Sequence, residues 1–294
     1  MAPTGVPSQW WWLRPSLASN ADLYPNRVPR DGSHVTHPFA SPPVDTDDDH
    51  ALAAWLATVA GQRLLEVRAQ GLEGKALKDE GDRTSHELLM ELLERHRPAD
   101  AVLSEEGQDD PGRLTASRVW IIDPLDGTRE FSEPPRDDWA VHVALWAAGE
   151  LSAGAVAQPG LDATFSTADP PQVPPSEALR PRLAVSRTRP PAFMQELADE
   201  MGADLVPMGS AGAKVISVVR DISDAYVHAG GQYEWDSAAP VAVARATGLH
   251  TSRADGAPLV YNRPDPLLPD LLVCRPELAT AITDFVRRYD ATSA

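Results

Sequence analysis

Asp123-Pro124-Leu125-Asp126-Gly127-Thr128 sets two carboxylates three residues apart on a stiff turn, with a glycine and a hydroxyl directly behind them. A Glu105-Glu106 pair lies upstream and Trp235-Asp236 lies downstream. Carboxylates and main-chain carbonyls are the hard oxygen donors that suit Mg²⁺, which takes about six ligands and keeps some as water. In two-ion phosphoryl chemistry the ions sit ~3.5–4 Å apart, so one carboxylate must bridge and others must flank it. Pro124 stiffens the turn and turns the Leu125 carbonyl toward a cation. Gly127 lets the backbone approach a phosphate closely. Thr128 could open a helix, adding an N–H to an anion site and a hydroxyl to orient water. Each motif alone is commonplace. Asp-Gly is an ordinary turn, Glu-Glu a solvated pair, and Asp236 before Ser-Ala-Ala an ordinary N-cap. Their joint placement at the ends of elements is the informative fact, because ligands bind at the carboxyl ends of strands in α/β proteins.

The elements that must position these groups follow from periodicity. An acidic run, Asp45–Asp49, suits a helix N-terminus. Leu52, Leu56, Val59, Leu64 and Val67 then recur at helical spacing, and Gly71 and Gly74 end that helix. A second helix is expected from about Arg83 to His96, with Leu88, Leu89, Leu92 and Leu93 on one stripe and Pro98 as its stop. Strands are expected at Ala101–Leu103, running into Glu105, and at Val119–Ile122, running into Asp123. Trp139–Trp146 alternates as a half-buried strand should, with Leu151–Ala157 as its antiparallel partner. Prolines over 168–181 mark a lobe boundary. Beyond it come a strand at Leu183–Val185, a helix over Pro191–Met201 closed by Gly202, and a helix after Gly212. Then follow a strand at Asp224–Ala229, a helix at about Asp236–Thr247, a turn at Asp255-Gly256, a strand at Leu271–Val273 and a helix after Pro276. The alternation predicts an α/β (α+β) fold of helices packed on mixed sheets. The expected organisation is a disordered Pro-rich extension over 1–44, carrying Trp10-Trp11-Trp12, an N-terminal lobe over 45–170 and a C-terminal lobe over 182–294.

Composition narrows the function. The 294 residues, 43% apolar and 23% charged, can bury a sizeable core. A net charge of −17 argues against nucleic acid or an anionic membrane as partner. It leaves an anionic substrate open, since bound divalent cations invert the sign of a site. A lone cysteine, Cys274, fits a reducing, cytoplasmic compartment. No apolar run reaches the ~18 residues of a membrane span, and the first residues lack the basic and apolar regions of a signal peptide.

The order Ser104-Glu105-Glu106, Trp120 to Thr128, then Trp235-Asp236 resembles the inositol monophosphatase superfamily. Asp-Pro-Leu-Asp-Gly-Thr-Arg-Glu-Phe and Gly209-Ser210-Ala211-Gly212-Ala213-Lys214 are most similar to 3′(2′),5′-bisphosphate nucleotidases of the CysQ type, and Asp137 to His142 to their actinobacterial branch. The resemblance spans roughly residues 50 to 290. It implies a layered α/β/α/β/α sandwich and a lithium-sensitive phosphatase using two or three Mg²⁺. By it, Glu105, Asp123 and the Leu125 carbonyl hold one ion; Asp123, Asp126 and Asp236 hold another. Thr128 helps activate the attacking water, and the Gly127 and Thr128 amides bind phosphate. The family's further water-activating aspartate falls on Asp82, 23 residues before Glu105, although Asp79 stands where the family has threonine. A nucleotide's second phosphate calls for cations off the metals, for which Arg129, Arg187, Arg189 and Lys214 are candidates, with Ser210 in the same binding segment. Glu234 is read as an exposed acid with a ribose hydroxyl as the alternative, Tyr226 and Tyr233 as core or base-stacking rings, His142 as a structural histidine and Cys274 as a small hydrophobe. The implied activity is removal of the 3′-phosphate from 3′-phosphoadenosine 5′-phosphate, extending to its sulfated relative, in sulfur metabolism. Inositol-1-phosphate, histidinol phosphate and fructose-1,6-bisphosphate are the alternative substrates, and a homodimer is an assembly left open.

Overall fold

The structure, a computed structural model, describes residues 47–293. The expectations for residues 1–44 lie outside the described residues. In chain order the elements are α1 (Asp49–Arg68), α2 (Gly74–His96), β1 (Ala101–Ser104), β2 (Arg118–Asp126), α3 (Thr128–Phe131), β3 (Ala140–Ala147), β4 (Glu150–Gln158) and β5 (Ala163–Ser166). After the Pro-rich stretch come β6 (Arg182–Ser186), α4 (Met194–Met201), β7 (Asp204–Met208), α5 (Ala211–Val219), β8 (Ala225–Tyr233), α6 (Glu234–Ala246), β9 (His250–Ser252), β10 (Leu267–Cys274) and α7 (Ala279–Ser293). One sheet has the order β1-β2-β3-β4-β5 and the other β7-β6-β8-β10-β9. Both are mixed: β1 runs parallel to β2, and β6 runs parallel to β7 and β8.

Three apolar clusters make five layers. Leu52, Leu56 and Leu64 of α1 and Leu89 and Leu93 of α2 pack on Trp120, Ile122, Val141 and Val143 of the first sheet. The opposite face of that sheet, with Val119, Ile121 and Ala144, meets Val215 and Ile216 of α5 and Ala239 and Val243 of α6. Those two helices also cover Tyr226, Leu271 and Val273 of the second sheet. Its far face, with Val185, Val227 and Leu272, is closed by Leu197 of α4 and Ile282 and Phe285 of α7. The layering is the α/β/α/β/α sandwich that the resemblance implies.

Three expectations need correction. First, α2 begins at Gly74, not near Arg83. Gly81 reads as a breaker, but in the folded chain it makes room: a Cβ there would meet Phe131 Cε1 at 2.7 Å and Leu125 Cδ2 at 2.9 Å. Burial of Leu77 and a Lys75–Asp79 pair support the extra turns. Second, β3 is buried on both faces over most of its length, not half-buried, because helices cover both sides of the first sheet. Third, Asp123 to Asp126 is not a free turn but the end of β2, which continues past Pro124 through a register shift. The short strands β5, β7 and β9 carry too little pattern to be read in advance.

Gly154 of β4 faces α6 at close range, where a Cβ would meet Ala242 Cβ at 2.6 Å and Ala239 O at 3.2 Å. Both neighbours are rigid. Gly154→Ala should therefore lower stability by about 1–3 kcal/mol in denaturant melts, the usual cost of overpacking. An unchanged midpoint would show that the two layers are looser than described.

Candidate active site

The register shift in β2 is what assembles the acids. In a regular strand, residues three apart point to opposite faces. Here Asp123 pairs with His142 and Asp126 with Ala140, so three steps on β2 match two on β3. The extra residue puts Asp123 and Asp126 on one face, the side toward α6. Pro124 is tolerated because a bulge does not need its missing N–H. Its carbonyl accepts a hydrogen bond from Ser85 Oγ at 2.7 Å, and Asp123 Oδ1 accepts from Leu125 N at 3.0 Å. Gly127, at φ 82°, then turns the chain into α3.

Asp236 arrives from the other sheet's connection. It lies in the first turn of α6, where its Oδ2 accepts from Tyr233 N at 2.6 Å. It is thus the third helical residue of a capping box, not the N-cap. Carboxylate oxygens of Asp123, Asp126 and Asp236 all lie within 4.8 Å of one another. Glu105 leaves part of its surface in solvent, but its carboxyl faces Asp123. Three aspartates therefore crowd one place, two of them buried, with the exposed Glu105 beside Asp123.

Their protonation shows the strain of that arrangement. Asp123 is pushed well above the usual carboxylate range, first by burial and then by Glu105 and Asp126. Burial raises Glu105 to about 7, with the charges of Asp236 and Asp126 adding to it. Asp236 rises to about 6 through burial and Asp126. Asp126 goes the other way. Burial acts to raise it, but His142, Ser210 Oγ and the Gly212 amide outweigh that and hold it at about 2.

Asp126 is the most constrained acid. Oδ2 accepts from Ser210 Oγ and Gly212 N, and His142 Nε2 faces it at 3.1 Å. Oδ1 accepts only from Ala211 N, at 3.0 Å. Oδ1 is therefore the oxygen with capacity left for a cation. His142 Nδ1 lies 3.1 Å from the Trp235 carbonyl. Both neighbours of this ring, the Asp126 carboxylate and the Trp235 carbonyl, are acceptors, which favours the protonated ring. Burial acts to lower the His142 pKa, but Asp126's charge prevails and raises it. The residue read as a structural histidine thus ties β2 to the start of α6, and a Cβ on Gly212 would meet its Nε2 at 2.1 Å.

The segment Gly209–Gly212 is pinned from three sides. Asp138 accepts from Gly209 N, Asp126 from Ser210, Ala211 and Gly212, and the buried Lys214 Nζ donates to the carbonyls of Gly209 and Ser210. These bonds hold Ser210 at φ 38°, a conformation few side chains adopt. Lys214 lies over the Tyr226 ring at 5.2 Å, and burial lowers its pKa. Tyr226 is core, while Tyr233 stacks on Trp235 at 4.7 Å. Cys274 is buried and apolar in setting.

Asp82, although inside α2, does reach the site: Thr128 Oγ1 lies 3.4 Å from its Oδ1 and 3.1 Å from the Leu125 carbonyl. Burial and the charge of Glu106 raise Asp82 to about 7. The candidate cations sit further out. Arg187 binds Glu130 at 2.6 Å and Glu133 at 3.1 Å, Arg129 shares Glu133 at 3.3 Å, and Arg189 is exposed. Glu234 is fully buried rather than an exposed acid, and its oxygens accept from Asn262 N and Arg263 N. Asp138 was missed in the sequence because its partner, Gly209, lies 71 residues away.

The donors that converge here are all oxygens, the set that fits Mg²⁺, Mn²⁺ or Ca²⁺ and not a soft metal. The three close aspartates are a group that could hold such a cation. The fold and the site together define a metal-dependent phosphatase. The chain belongs to the inositol monophosphatase family, whose model matches residues 49–288. It is 52% identical over 234 residues, 75% of this chain and 86% of the relative, to a 3′-phosphoadenosine 5′-phosphate phosphatase of Mycobacterium bovis. It is 49% identical over 253 residues, covering 81% of this chain and 93% of the other, to the protein of that name from Mycobacterium leprae. The crystal structure of CysQ from Bacteroides thetaiotaomicron superposes with a TM-score of 0.65 at 25% identity, covering 76% of this chain and 96% of that one. Among the described residues no helix is long and apolar enough to cross a membrane.

The acids set a pH dependence with a definite sign. Asp82 and Glu105 near 7, and Asp236 near 6, keep protons in the folded chain that the unfolded chain releases at about 4. His142, raised, acts in the same sense, while lowered Asp126 matters only below about pH 4. The folded state binds more protons, so its stability falls as pH rises from about 5 to 8. The metal-free protein should melt at a lower temperature at pH 8 than at pH 5.5. Divalent cations compete with those protons, so Mg²⁺ should raise the melting temperature more at pH 8. A metal effect equal at both values would count against the cluster.

Proposed function

We propose that this protein hydrolyses the 3′-phosphate of 3′-phosphoadenosine 5′-phosphate to AMP and phosphate, using Mg²⁺, in the cytoplasm and in sulfur metabolism. The observation that carries the substrate is the similarity, at 52% and 49% identity over most of both chains, to relatives bearing that activity in their names. Asp123, Asp126, Asp236 and Glu105, with the Leu125 carbonyl, hold two or three ions. When bound, Mg²⁺ supplies charge neutralisation at the phosphoryl group and lowers the pKa of the attacking water.

The chain's own residues do the rest. Thr128 Oγ1 and Asp82 orient the water. With its pKa near 7, Asp82 is poised to take the proton at working pH. Gly127 and Thr128 bring backbone N–H groups to the phosphate, where they oppose the charge that builds up on its oxygens. Lys214 uses two of its three N–H groups on carbonyls, which leaves one for substrate. Arg187 and Arg129 meet on Glu133, so a second phosphate that displaces this carboxylate finds two guanidiniums.

Asp123→Asn should lower kcat/KM by at least about 100-fold with the fold intact by circular dichroism; activity within about tenfold of wild type would sink the metal assignment. A phosphate-release panel should rank the bisphosphate nucleotide above inositol-1-phosphate, histidinol phosphate and fructose-1,6-bisphosphate. Release should require Mg²⁺ and be inhibited by Li⁺. A preference for inositol-1-phosphate would overturn the substrate while leaving the site standing.

A further inference from the structure

Glu105 and Asp236 come from different parts of the chain. Glu105 opens the loop between β1 and β2, residues 105–117, which has only a short 3₁₀ turn at Pro111–Thr115. Asp236 lies in the first turn of α6. Both are acids, one at the start of that loop and one at the start of that helix. The start of the loop is held by Glu105 N on the Ile122 carbonyl at 3.3 Å; its far part is held by side chains.

Arg113, on that loop, is 1% exposed. Its Nη1 donates to Asn262 Oδ1 at 2.8 Å and its Nη2 to the Arg263 carbonyl at 2.9 Å. Asn262 Nδ2 returns a bond to the Arg113 carbonyl at 3.2 Å. Nε and Nη2 also grip Asp109 on the same loop. On its other side, Asn262-Arg263 is held by Glu234, the first residue of α6. Glu234 Oε2 accepts from Asn262 N at 2.7 Å and Oε1 from Arg263 N at 2.9 Å. Glu234 N in turn donates to the Pro266 carbonyl at 2.9 Å. Asn262 adopts φ 57°, which presents its side chain and backbone to the two partners.

We infer that Asn262-Arg263 is a clasp joining the loop that carries Glu105 to the helix start that carries Asp236, with Arg113 and Glu234 as positioning residues that preset the spacing of the two acids for a divalent cation. The inference rests on the metal site proposed above. Its physical content is preorganisation. A loop ordered before the cation arrives does not have to be ordered by it, so affinity rises without any new contact to the ion. Arg113 and Glu234 are separated from each other by one shared segment, so loss of the Asn262 side chain removes two of the three bonds between loop and segment, leaving Arg113 Nη2 on the Arg263 carbonyl and the Glu234 bonds to backbone in place.

Asn262→Gly is the discriminating variant, because glycine accepts φ 57° readily and only the side-chain bonds are lost. Arg113→Lys keeps the charge and removes the fork. The measurement is calorimetric titration of Mg²⁺ into the metal-free protein, with amide hydrogen exchange over 105–117 as a second readout. Both variants should bind Mg²⁺ on the order of tenfold more weakly than wild type, the scale seen when a support of a ligand is removed. Exchange over the loop should quicken while the core stays protected. Wild-type affinity and unchanged loop exchange in both variants would overturn the clasp. Absence of Mg²⁺ binding in the wild type would instead overturn the metal site itself, and the clasp with it.

Discussion

Like charge at close range is the constraint around which this molecule is arranged. Four carboxylates meet where the surroundings are largely dry, and each would be better off apart in water. They stay together because each is fixed by an element it cannot leave. Asp123 and Asp126 end a central strand, Asp236 is built into a helix start, and Glu105 follows an edge strand of the same sheet. The repulsion that remains is a standing affinity for cations, and a phosphate ester is the kind of anion such cations would gather.

The acids are not equivalent, and the difference follows from their neighbours. Asp126 sits beside His142 and among hydrogen-bond donors from Ser210 and the start of α5, which hold its pKa low. Asp123 and Glu105 have mainly other carboxylates for company, so they hold protons until a cation replaces them. His142 touches both halves: its two nitrogens reach Asp126 and the carbonyl before Asp236. The segment Gly209–Gly212 plays the matching part from the second sheet, gripped by Asp126 and Asp138 across the layer boundary.

Much of this was legible in the residues. The acidic motifs fell at the ends of predicted elements; Asp123, Asp126 and Asp236 come within 4.8 Å of one another, and Asp82 reaches Thr128. Helical spacing located α1 and the later half of α2, and glycine marked the end of α4. What could not be read has physical reasons. The first turns of α2, from Gly74, were not read because Gly81 owes its place there to the ring of Phe131 and a methyl of Leu125, far along the chain. Glu234 looked exposed because its two amide partners lie in a loop with no pattern. Arg187 and Arg129 looked free because their acids, Glu130 and Glu133, declare themselves only when the chain is folded.

The chain's own chemistry, then, determined the donor types: hard oxygens, a bulge-tolerant proline, a glycine able to turn left-handed at φ 82°, and small residues where helices approach sheets. These are local properties, and local order carries them. Tertiary structure alone decided which oxygens share an ion and which are already spent on N–H groups. It also decided which arginines are occupied and which loop is tied to which helix. Those outcomes depend on contacts between residues tens of positions apart, and such contacts leave no periodicity behind in the sequence.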